Sequence, residues 1–262
     1  LRIMKQAAEN YAVDEVRIVA TSVLRDATNG QDFCDKVEEV TGWKMRIISG
    51  VEEAHWIHKG VEMTTNLLLE RHVIMDIGGG SLEFIVVERS GISGESQVLW
   101  KKSFDAGVAR LDDFGKPSDP LGQAGALRYQ PFLDYTLLPL QEALKEFAPK
   151  VLVGSSGSFD TFLDMVKEGS ELDSIAPAYS ELEHPQAESI DRDLLFDLHG
   201  VLVASDLQER LAMPGMAPPR APMIPLASLL IQKVLSWMPV DSTIMRSAYA
   251  LREGVLRDTL GL

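Results

Sequence analysis

The segment VIMDIGGGSLEFIVVE, at residues 73–88, decides how this chain folds. It predicts a β-strand at 72–76 that ends in Asp76, a turn of three glycines, and a second strand at 82–88. A plain hairpin turn needs fewer glycines. A run of three favours a loop whose backbone N–H groups approach an anion closely, with a serine hydroxyl as a further donor. We therefore predict that this loop binds phosphate through Gly78, Gly79, Gly80 and Ser81.

Two other kinds of phosphate loop do not fit this segment. The loop has no lysine of the P-loop type, and it leads into a strand rather than into a helix as a dinucleotide-binding turn does. A tight hairpin turn without a ligand remains the alternative. Asp76 carries a negative charge and cannot attract phosphate itself, but it can hold a divalent cation that does.

A second glycine-rich segment, GSSGS at 154–158, follows a predicted strand at 151–153 and precedes a predicted helix that runs to Lys167. The exposed N–H groups at the start of a helix suit phosphate. Capping of the helix by Ser158 is the alternative. We predict that this segment contributes four phosphate-binding residues: Gly154, Ser155, Gly157 and Ser158.

A third segment, SGVEEA at 49–54, starts a predicted helix that ends near Met63. Ser49 and Glu52 have the spacing of a capping box, in which the glutamate folds back onto the cap residue. Glu53 then faces elsewhere and is placed to accept a proton from water. Two acids that simply favour a helix N-terminus are the alternative. Arg25, after a strand and a Thr-Ser turn, is a candidate phosphate clamp, although an ordinary surface arginine is the alternative.

The remaining pattern is α/β. The first part predicts α-β-α-β with parallel strands, including a helix at 31–40 whose inner face holds Phe33, Val37 and Val40. Later segments predict a strand at 97–103, a loop at 112–123, an irregular stretch at 171–185 and further helices and strands. The predicted further helices cover 135–146, 191–203, 205–212, 226–237 and 250–260, and the last strand covers 242–246.

Composition narrows the function. The net charge of −14 disfavours nucleic-acid binding, which needs a basic face. No apolar run reaches the ~20 residues that span a bilayer, so no membrane partner is expected. The single cysteine, Cys34, rules out an internal disulfide and favours a reducing compartment, and we expect a cytoplasmic protein.

Several segments together resemble one family along nearly the whole chain. They are VRIVATSVLRDATN at 16–29, IISGVEEA at 47–54, VIMDIGGGSLEF at 73–84, DAGVARL at 105–111, VLVGSSGSF at 151–159, MPGMAPPRAPMI at 213–224 and ALREGVLRD at 250–258. In this ordered set the chain resembles the Ppx/GppA family, the exopolyphosphatases and guanosine pentaphosphate phosphohydrolases. The resemblance implies an actin-like, ribonuclease-H-type fold of two lobes with mixed sheets, and a cleft for the phosphate chain.

The resemblance also implies roles for residues. The second glutamate of the family's S-G-x-E-E-A motif, its catalytic base, falls on Glu53, and the arginine of its A-T-S-x-L-R motif falls on Arg25. The family's second phosphate loop falls on Asp76 to Ser81, with Glu83 just after it. Family members use Mg2+ or a similar divalent cation, so Asp76 and Glu83 are the predicted metal ligands.

The family's first phosphate loop, an A-x-D-x-G-S-N-S hairpin, is expected before Leu1. The chain then comprises part of lobe one at 1–66, lobe two at 67–249, and a terminal helix at 250–262 that packs on lobe one. It is expected to be a short form of the family.

The expected function is release of terminal orthophosphate from polyphosphate or guanosine pentaphosphate. Two alternatives are a non-catalytic sensor of polyphosphate or alarmone nucleotides and a small-molecule kinase of the actin superfold. A homodimer is a further possible assembly, with the apolar helix at 226–237 as the candidate interface.

Overall fold

The computed structural model describes residues 1–64, 71–89, 96–169 and 186–261. The chain divides into two compact units, Leu1–Glu53 and Ala54–Leu262. The division falls inside a helix. The boundary predicted at residues 66 and 67 lies outside the described residues and stays a prediction, and so does the irregular stretch predicted at 171–185.

The first unit has the predicted α-β-α-β order, with a short helix, Ser22–Asp26, after the first strand. Its two strands are parallel, with Ile18 opposite Met45. Gly42 ends the third helix in the left-handed conformation, at φ 75°, which glycine adopts without strain. The elements are α1 Arg2–Asn10, β1 Ile18–Ala20, α2 Ser22–Asp26, α3 Gly30–Thr41, β2 Met45–Ile47 and the start of α4 Gly50–Glu62.

The prediction of which side chains of α3 face the core is partly wrong. Val37 is buried, but Phe33 is 47% exposed. Cys34 lies next to Phe33 in the chain and is buried instead. The helical spacing located the helix correctly, while the sequence alone did not fix which side of it packs inward.

The second unit is built on a mixed six-stranded sheet in the order β5-β4-β3-β6-β8-β7. The strand β3 pairs antiparallel with β4 and parallel with β6. The elements after α4 are β3 Arg71–Ile77, β4 Leu82–Arg89, β5 Ser96–Phe104, α5 Val108–Gly115, α6 Gly122–Arg128, α7 Gln130–Thr136, α8 Leu138–Phe147, β6 Val151–Ser155, α9 Ser156–Gly169, β7 Ala187–Ile190, α10 Arg192–Ala204, α11 Leu207–Leu211, α12 Ile224–Leu235, β8 Thr243–Ser247 and α13 Leu251–Leu260.

Both faces of this sheet are covered, as parallel strands require. Alternate residues of β3 point to opposite faces. Val73 and Met75 belong to the larger core, which includes most of α12. Ile74 belongs to a smaller core with Ile57 and Val61 of α4. The side chains of β3 at even positions, which include Asp76, therefore share the face that residues 54–62 of α4 cover.

Two glycines let α4 and α13 cross with their backbones in contact. A Cβ on Gly254 would lie 1.8 Å from the carbonyl oxygen of Trp56, and one on Gly60 would lie 1.9 Å from that of Ala250. Arg257 of α13 also donates to the Lys59 carbonyl at 3.2 Å. The terminal helix is thus fixed to the part of α4 that belongs to the second unit. Its predicted packing on lobe one stays a prediction.

The loop predicted at 112–123 is wrong over half its length, because α5 runs to Gly115 and α6 begins at Gly122. The helix predicted at 135–146 is two helices, α7 and α8, which meet at Leu137. The edge strand β7 was not predicted. It exists through pairing with β8, with Ala187 opposite Ser247, and such pairing partners lie far away in the sequence.

Candidate functional site

The glycine loop predicted to bind phosphate joins β3 to β4 as a closed turn. The Gly78 N–H donates to the Ser81 carbonyl at 3.0 Å. A Cβ on Gly78 would approach that same oxygen to 2.9 Å, so a side chain there would strain the turn. Ser81 is buried, with 2% of its surface exposed.

The start of α5 fixes the carbonyl groups of this loop. The Val108 N–H donates to the Gly78 carbonyl at 3.1 Å, and the Ala109 N–H donates to the Gly79 carbonyl at 2.8 Å. The Gly80 carbonyl accepts from Arg110 Nε at 2.7 Å and from the Gly107 N–H at 3.4 Å. Three successive carbonyls therefore point toward α5.

The N–H groups of the loop are available to a ligand. Among the residues that the structure describes, the N–H groups of Gly79, Gly80 and Ser81 find no protein acceptor, and neither does the Ser81 hydroxyl. A turn whose carbonyls are bound on one side and whose N–H groups stay available is suited to an anion.

Asp76 and Glu83 lie directly opposite each other on β3 and β4. Opposed residues of an antiparallel pair point to the same face. The row continues on both sides, because Ser103 of β5 is opposite Glu83 and Ser155 of β6 is opposite Asp76. The Ser103 hydroxyl donates to Glu83 at 2.7 Å and the Ser155 hydroxyl to Asp76 at 2.7 Å. The sheet thus places two buried carboxylates in one polar row.

The Asp76 carboxylate is an unusual buried charge. Burial raises the pKa of Asp76, whereas hydrogen bonds from Ser155 and Ser156 and the charge of Arg220 lower it. Asp76 makes no ion pair within the described ranges. A buried carboxylate without a paired cation is costly, and a bound metal ion would remove that cost.

The residues fit a magnesium-type cation in part. Carboxylate oxygens suit Mg2+, which commonly takes one or two protein carboxylates and fills its other positions with water and substrate phosphate. Asp76 and Glu83 supply two such groups on one face. The described part of the chain contains no cluster of three or more His, Cys, Asp or Glu side chains suited to a metal. An all-protein cage is therefore absent from these residues, and a site shared with substrate is the arrangement that they fit.

The second glycine-rich segment meets Asp76 from β6 and α9. Ser156 has φ 66°, which turns the chain from strand to helix. Its hydroxyl donates to Asp76 at 3.1 Å and to the Ile77 carbonyl at 3.3 Å. Ser155 and Ser156 therefore hold Asp76 in place. Ser158 is buried inside the first turn of α9, so its side chain is not the helix cap.

Arg220 is a candidate site residue that sequence reasoning missed. Its guanidinium lies against the backbone of Gly157, where a Cβ would meet Nη2 at 2.3 Å. The side chain has no acceptor in the described residues. An exposed arginine without a partner, at the start of α9 and close enough to affect Asp76, is suited to phosphate. The one available signal was its place in the MPGMAPPRAPMI segment.

In the first unit, the capping box at the start of α4 is confirmed. The Glu52 N–H donates to the Ser49 hydroxyl at 3.2 Å, and the Ser49 N–H donates back to the Glu52 carboxylate at 2.9 Å. Hydrogen bonds from the Ser49 backbone and hydroxyl lower the pKa of Glu52. Glu52 is thereby committed to the cap.

Glu53 takes no part in the cap and instead pairs with Arg25. Neither of the two sequence motifs predicted this pairing. Arg25 Nη1 lies 3.0 Å from Glu53 Oε2 and also donates to the Ile48 carbonyl at 3.0 Å. Glu53 is 6% exposed. The arginine predicted as a phosphate clamp therefore holds the candidate base in a fixed orientation.

Comparison with known proteins identifies relatives along the whole chain. The model of the Ppx/GppA phosphatase family matches residues 1–262. A guanosine-5'-triphosphate,3'-diphosphate pyrophosphatase from Aeromonas salmonicida is 25% identical over 264 residues, which cover 100% of this chain and 48% of that protein. The chain therefore spans about half the length of the curated relatives it matches.

Solved structures of similar proteins have the same fold as this chain. An exopolyphosphatase from Cytophaga hutchinsonii superimposes with a TM-score of 0.88 at 32% identity, covering 99% of this chain and 79% of that one. A Ppx/GppA family member from Aquifex aeolicus gives a TM-score of 0.75 at 20% identity, covering 99% and 78%. The predicted α/β fold of the actin-like class, with a mixed sheet, is confirmed.

None of the described helices is long and apolar enough to cross a membrane. The glycine loop, the second serine-rich turn and the S-G-V-E-E-A helix start all occur in the order that the family resemblance required. With the family model matching from the first residue to the last, this chain belongs to the Ppx/GppA phosphatase family.

Proposed function

We propose that this chain is the catalytic part of a phosphohydrolase that releases terminal orthophosphate from inorganic polyphosphate or guanosine pentaphosphate. The observation that carries the proposal is the arrangement at the start of α4. Glu52 closes the cap, and the buried Glu53 is held by Arg25 with its carboxylate fixed. The printed names of the relatives, a pyrophosphatase and an exopolyphosphatase, support this class of substrate.

In this proposal Glu53 accepts the proton from the attacking water. A positioned general base contributes about 10²- to 10⁴-fold to a rate. The ion pair with Arg25 fixes the carboxylate before substrate arrives, so that little reorganisation is needed. Arg25 then positions the base. Its second role in this mechanism is a direct contact with a substrate phosphate.

The substrate phosphates are bound by groups of the second unit. The available N–H groups of Gly79, Gly80 and Ser81 donate to phosphate oxygens, as do the N–H groups in the first turn of α9 at Gly157 and Ser158. Gly154 lacks a side chain where a Cβ would lie 2.0 Å from the Phe159 ring, which lets that ring pack against the backbone there. Arg220 adds a positive charge beside this turn.

Asp76 and Glu83 would hold a divalent cation of the Mg2+ type. When bound, the cation supplies charge neutralisation to the phosphates. The hydroxyls of Ser155 and Ser103 orient the two carboxylates. No nucleic-acid partner is proposed, in keeping with the net charge of −14, and a cytoplasmic location and homodimer formation remain predictions.

The two neighbouring glutamates offer a matched test. In the full-length protein we expect Glu53→Gln to lower orthophosphate release about 100-fold or more, while polyphosphate binding measured by calorimetry is retained. Glu52→Gln keeps the reaction and changes stability little, because glutamine at this position also closes a capping box. Release from long-chain polyphosphate and from guanosine pentaphosphate is measured side by side to define the preferred substrate.

Undiminished turnover by the Glu53→Gln protein would refute the assignment of the base. Binding of either substrate by the unmodified protein, with no release of orthophosphate at any divalent-cation concentration, would instead identify a sensor. Transfer of a phosphoryl group from ATP to a small molecule would identify a kinase.

A further inference from the structure

A cavity lies at the end of α5 that is far from the glycine loop. Its volume is about 290 Å³, at the small end of the range for ligand pockets. The helix has eight residues, so the two ends are ~12 Å apart. The residues of the cavity wall that matter here are Phe114, Gly115, Lys116, Leu121, Arg128 and Tyr129.

The wall of this cavity contains an unsatisfied polar group. Tyr129 is 3% exposed, and its hydroxyl has no hydrogen-bond partner in the residues described. The hydroxyl lies against Gly115, where a Cβ would come within 2.0 Å of it. Buried hydroxyls are nearly always hydrogen-bonded. The hydroxyl oxygen is itself closed off from solvent, so it is an unpaired polar group beside the cavity rather than one that opens into it.

The wall of the cavity also carries two positively charged side chains, while burial, and in addition the nearby carboxylate of Asp112, raise the pKa of Tyr129. Lys116 and Arg128 form no ion pair with any described residue, although the net charge of the chain is −14. The nearby Asp119 does not neutralise them, because it accepts from Arg210 Nη2 at 2.8 Å and from the Leu207 N–H at 2.8 Å. Two cations without partners in one wall are suited to a bound anion.

An aromatic surface completes the wall. The ring of Phe114 stacks on that of Phe132, with centroids 4.5 Å apart and 29° between the planes. Phe114 nevertheless stays 61% exposed, which leaves ring surface for a further planar group. Stacked aromatic rings are favourable beyond the area that they bury.

We propose that this cavity binds a small planar aromatic ring that carries one anionic group, of which a nucleoside monophosphate is an example. The ring stacks on Phe114, and the anion lies between Lys116 and Arg128. The cavity lies at the opposite end of α5 from the glycine loop, so this site is distinct from the proposed hydrolytic one.

The test is a calorimetric titration of the full-length protein with AMP, with adenosine and with ribose 5-phosphate. We expect AMP to bind about tenfold or more tightly than either part, because the ring and the anion both contribute. The Lys116→Ala/Arg128→Ala protein should bind AMP about tenfold more weakly. Phe114→Ala should weaken binding of AMP and leave ribose 5-phosphate unchanged.

Two controls make the result specific. Lys145→Ala/Lys150→Ala removes the same charge from exposed positions outside the cavity and should leave AMP affinity unchanged. Arg220→Ala alters the proposed phosphate site and should also leave it unchanged. The proposal is overturned if AMP does not bind at millimolar concentration, if affinity survives the Lys116→Ala/Arg128→Ala change, or if Arg220→Ala abolishes binding.

Discussion

At the scale of single residues, the contact between Gly157 and Arg220 joins the serine-rich turn to an arginine far along the chain. A methyl group on Gly157 would occupy the place of the guanidinium, 2.3 Å from Nη2. Because the guanidinium is the mobile end of a long side chain, it can move aside at little cost in stability. The contact therefore bears on function more than on folding.

We predict that Gly157→Ala lowers orthophosphate release about tenfold, through displacement of a charged phosphate contact, and shifts the unfolding midpoint little. The measurement is steady-state kinetics beside thermal unfolding. Gly169→Ala, at the other end of α9, is the matched control, because a Cβ there meets nothing within 4 Å.

A double-mutant cycle distinguishes an effect of Gly157→Ala that acts through Arg220 from one that acts on the ligand directly. If the methyl group acts by displacing the arginine, Gly157→Ala adds little in an Arg220→Ala background. Full additivity of the two losses would show instead that Gly157 acts on the ligand directly.

The sequence predicted those site residues whose role is local. The glycine loop, the Ser49–Glu52 cap and the separate direction of Glu53 each follow from spacing within a few residues. The pairing of Arg25 with Glu53, the row from Ser103 to Ser155 and the position of Arg220 depend on strand register and on packing between distant segments. No local pattern encodes those contacts.

At the scale of elements, the crossing of α4 and α13 depends on the absence of two side chains. A methyl group on Gly254 would meet the Trp56 carbonyl oxygen at 1.8 Å, and backbone atoms cannot move aside as a side chain can. We predict that Gly254→Ala lowers the free energy of unfolding by about 1–3 kcal/mol, the usual cost of overpacking, as measured by urea denaturation.

Gly200→Ala in α10 is the matched control for this prediction. A Cβ there meets nothing within 4 Å, so the better helix propensity of alanine should raise stability by about 0.5–1 kcal/mol. Equal effects of the two substitutions would contradict a tight crossing at Gly254.

The elements that the sequence missed have a common physical origin. The helix α5 begins where its first N–H groups find the loop carbonyls of Gly78 and Gly79, and β7 forms by pairing with β8. In both cases a distant partner supplies the hydrogen bonds. The strongly periodic elements, such as β3, α9 and α12, carry their own hydrophobic pattern and were predicted within a few residues.

At the scale of the whole molecule, two buried histidines make stability depend on pH. Burial lowers the pKa of His72 to about 4 and that of His58 to about 4. The unfolded chain takes up these protons near the ordinary histidine pKa of about 6.5. Between these values the unfolded state binds more protons than the folded state, so stability falls as the pH falls.

We predict that lowering the pH from 7 to 5 reduces the free energy of unfolding by roughly 1–2 kcal/mol for each of the two histidines. Urea denaturation across this range measures the slope. The His58→Phe/His72→Phe protein should lose most of that slope. Replacing the exposed His55, whose pKa is lowered by a smaller amount, should remove little of it, and His199, whose pKa burial also lowers, is common to all the proteins compared. Asp76 acts with the opposite sign, because its pKa is raised, and it is common to all the proteins compared.

The anchoring of the glycine loop by α5 also defines what can be moved from this protein into another. Gly107 has no room for a side chain, since a Cβ would lie 2.4 Å from the Gly79 carbonyl oxygen. The hairpin alone, transplanted to a new scaffold, would lose the partners of its three carbonyls. The module that can be transplanted is therefore a pair of segments, 76–83 and 105–110. A graft that omits the second segment contains the glycines but does not hold the loop in its conformation.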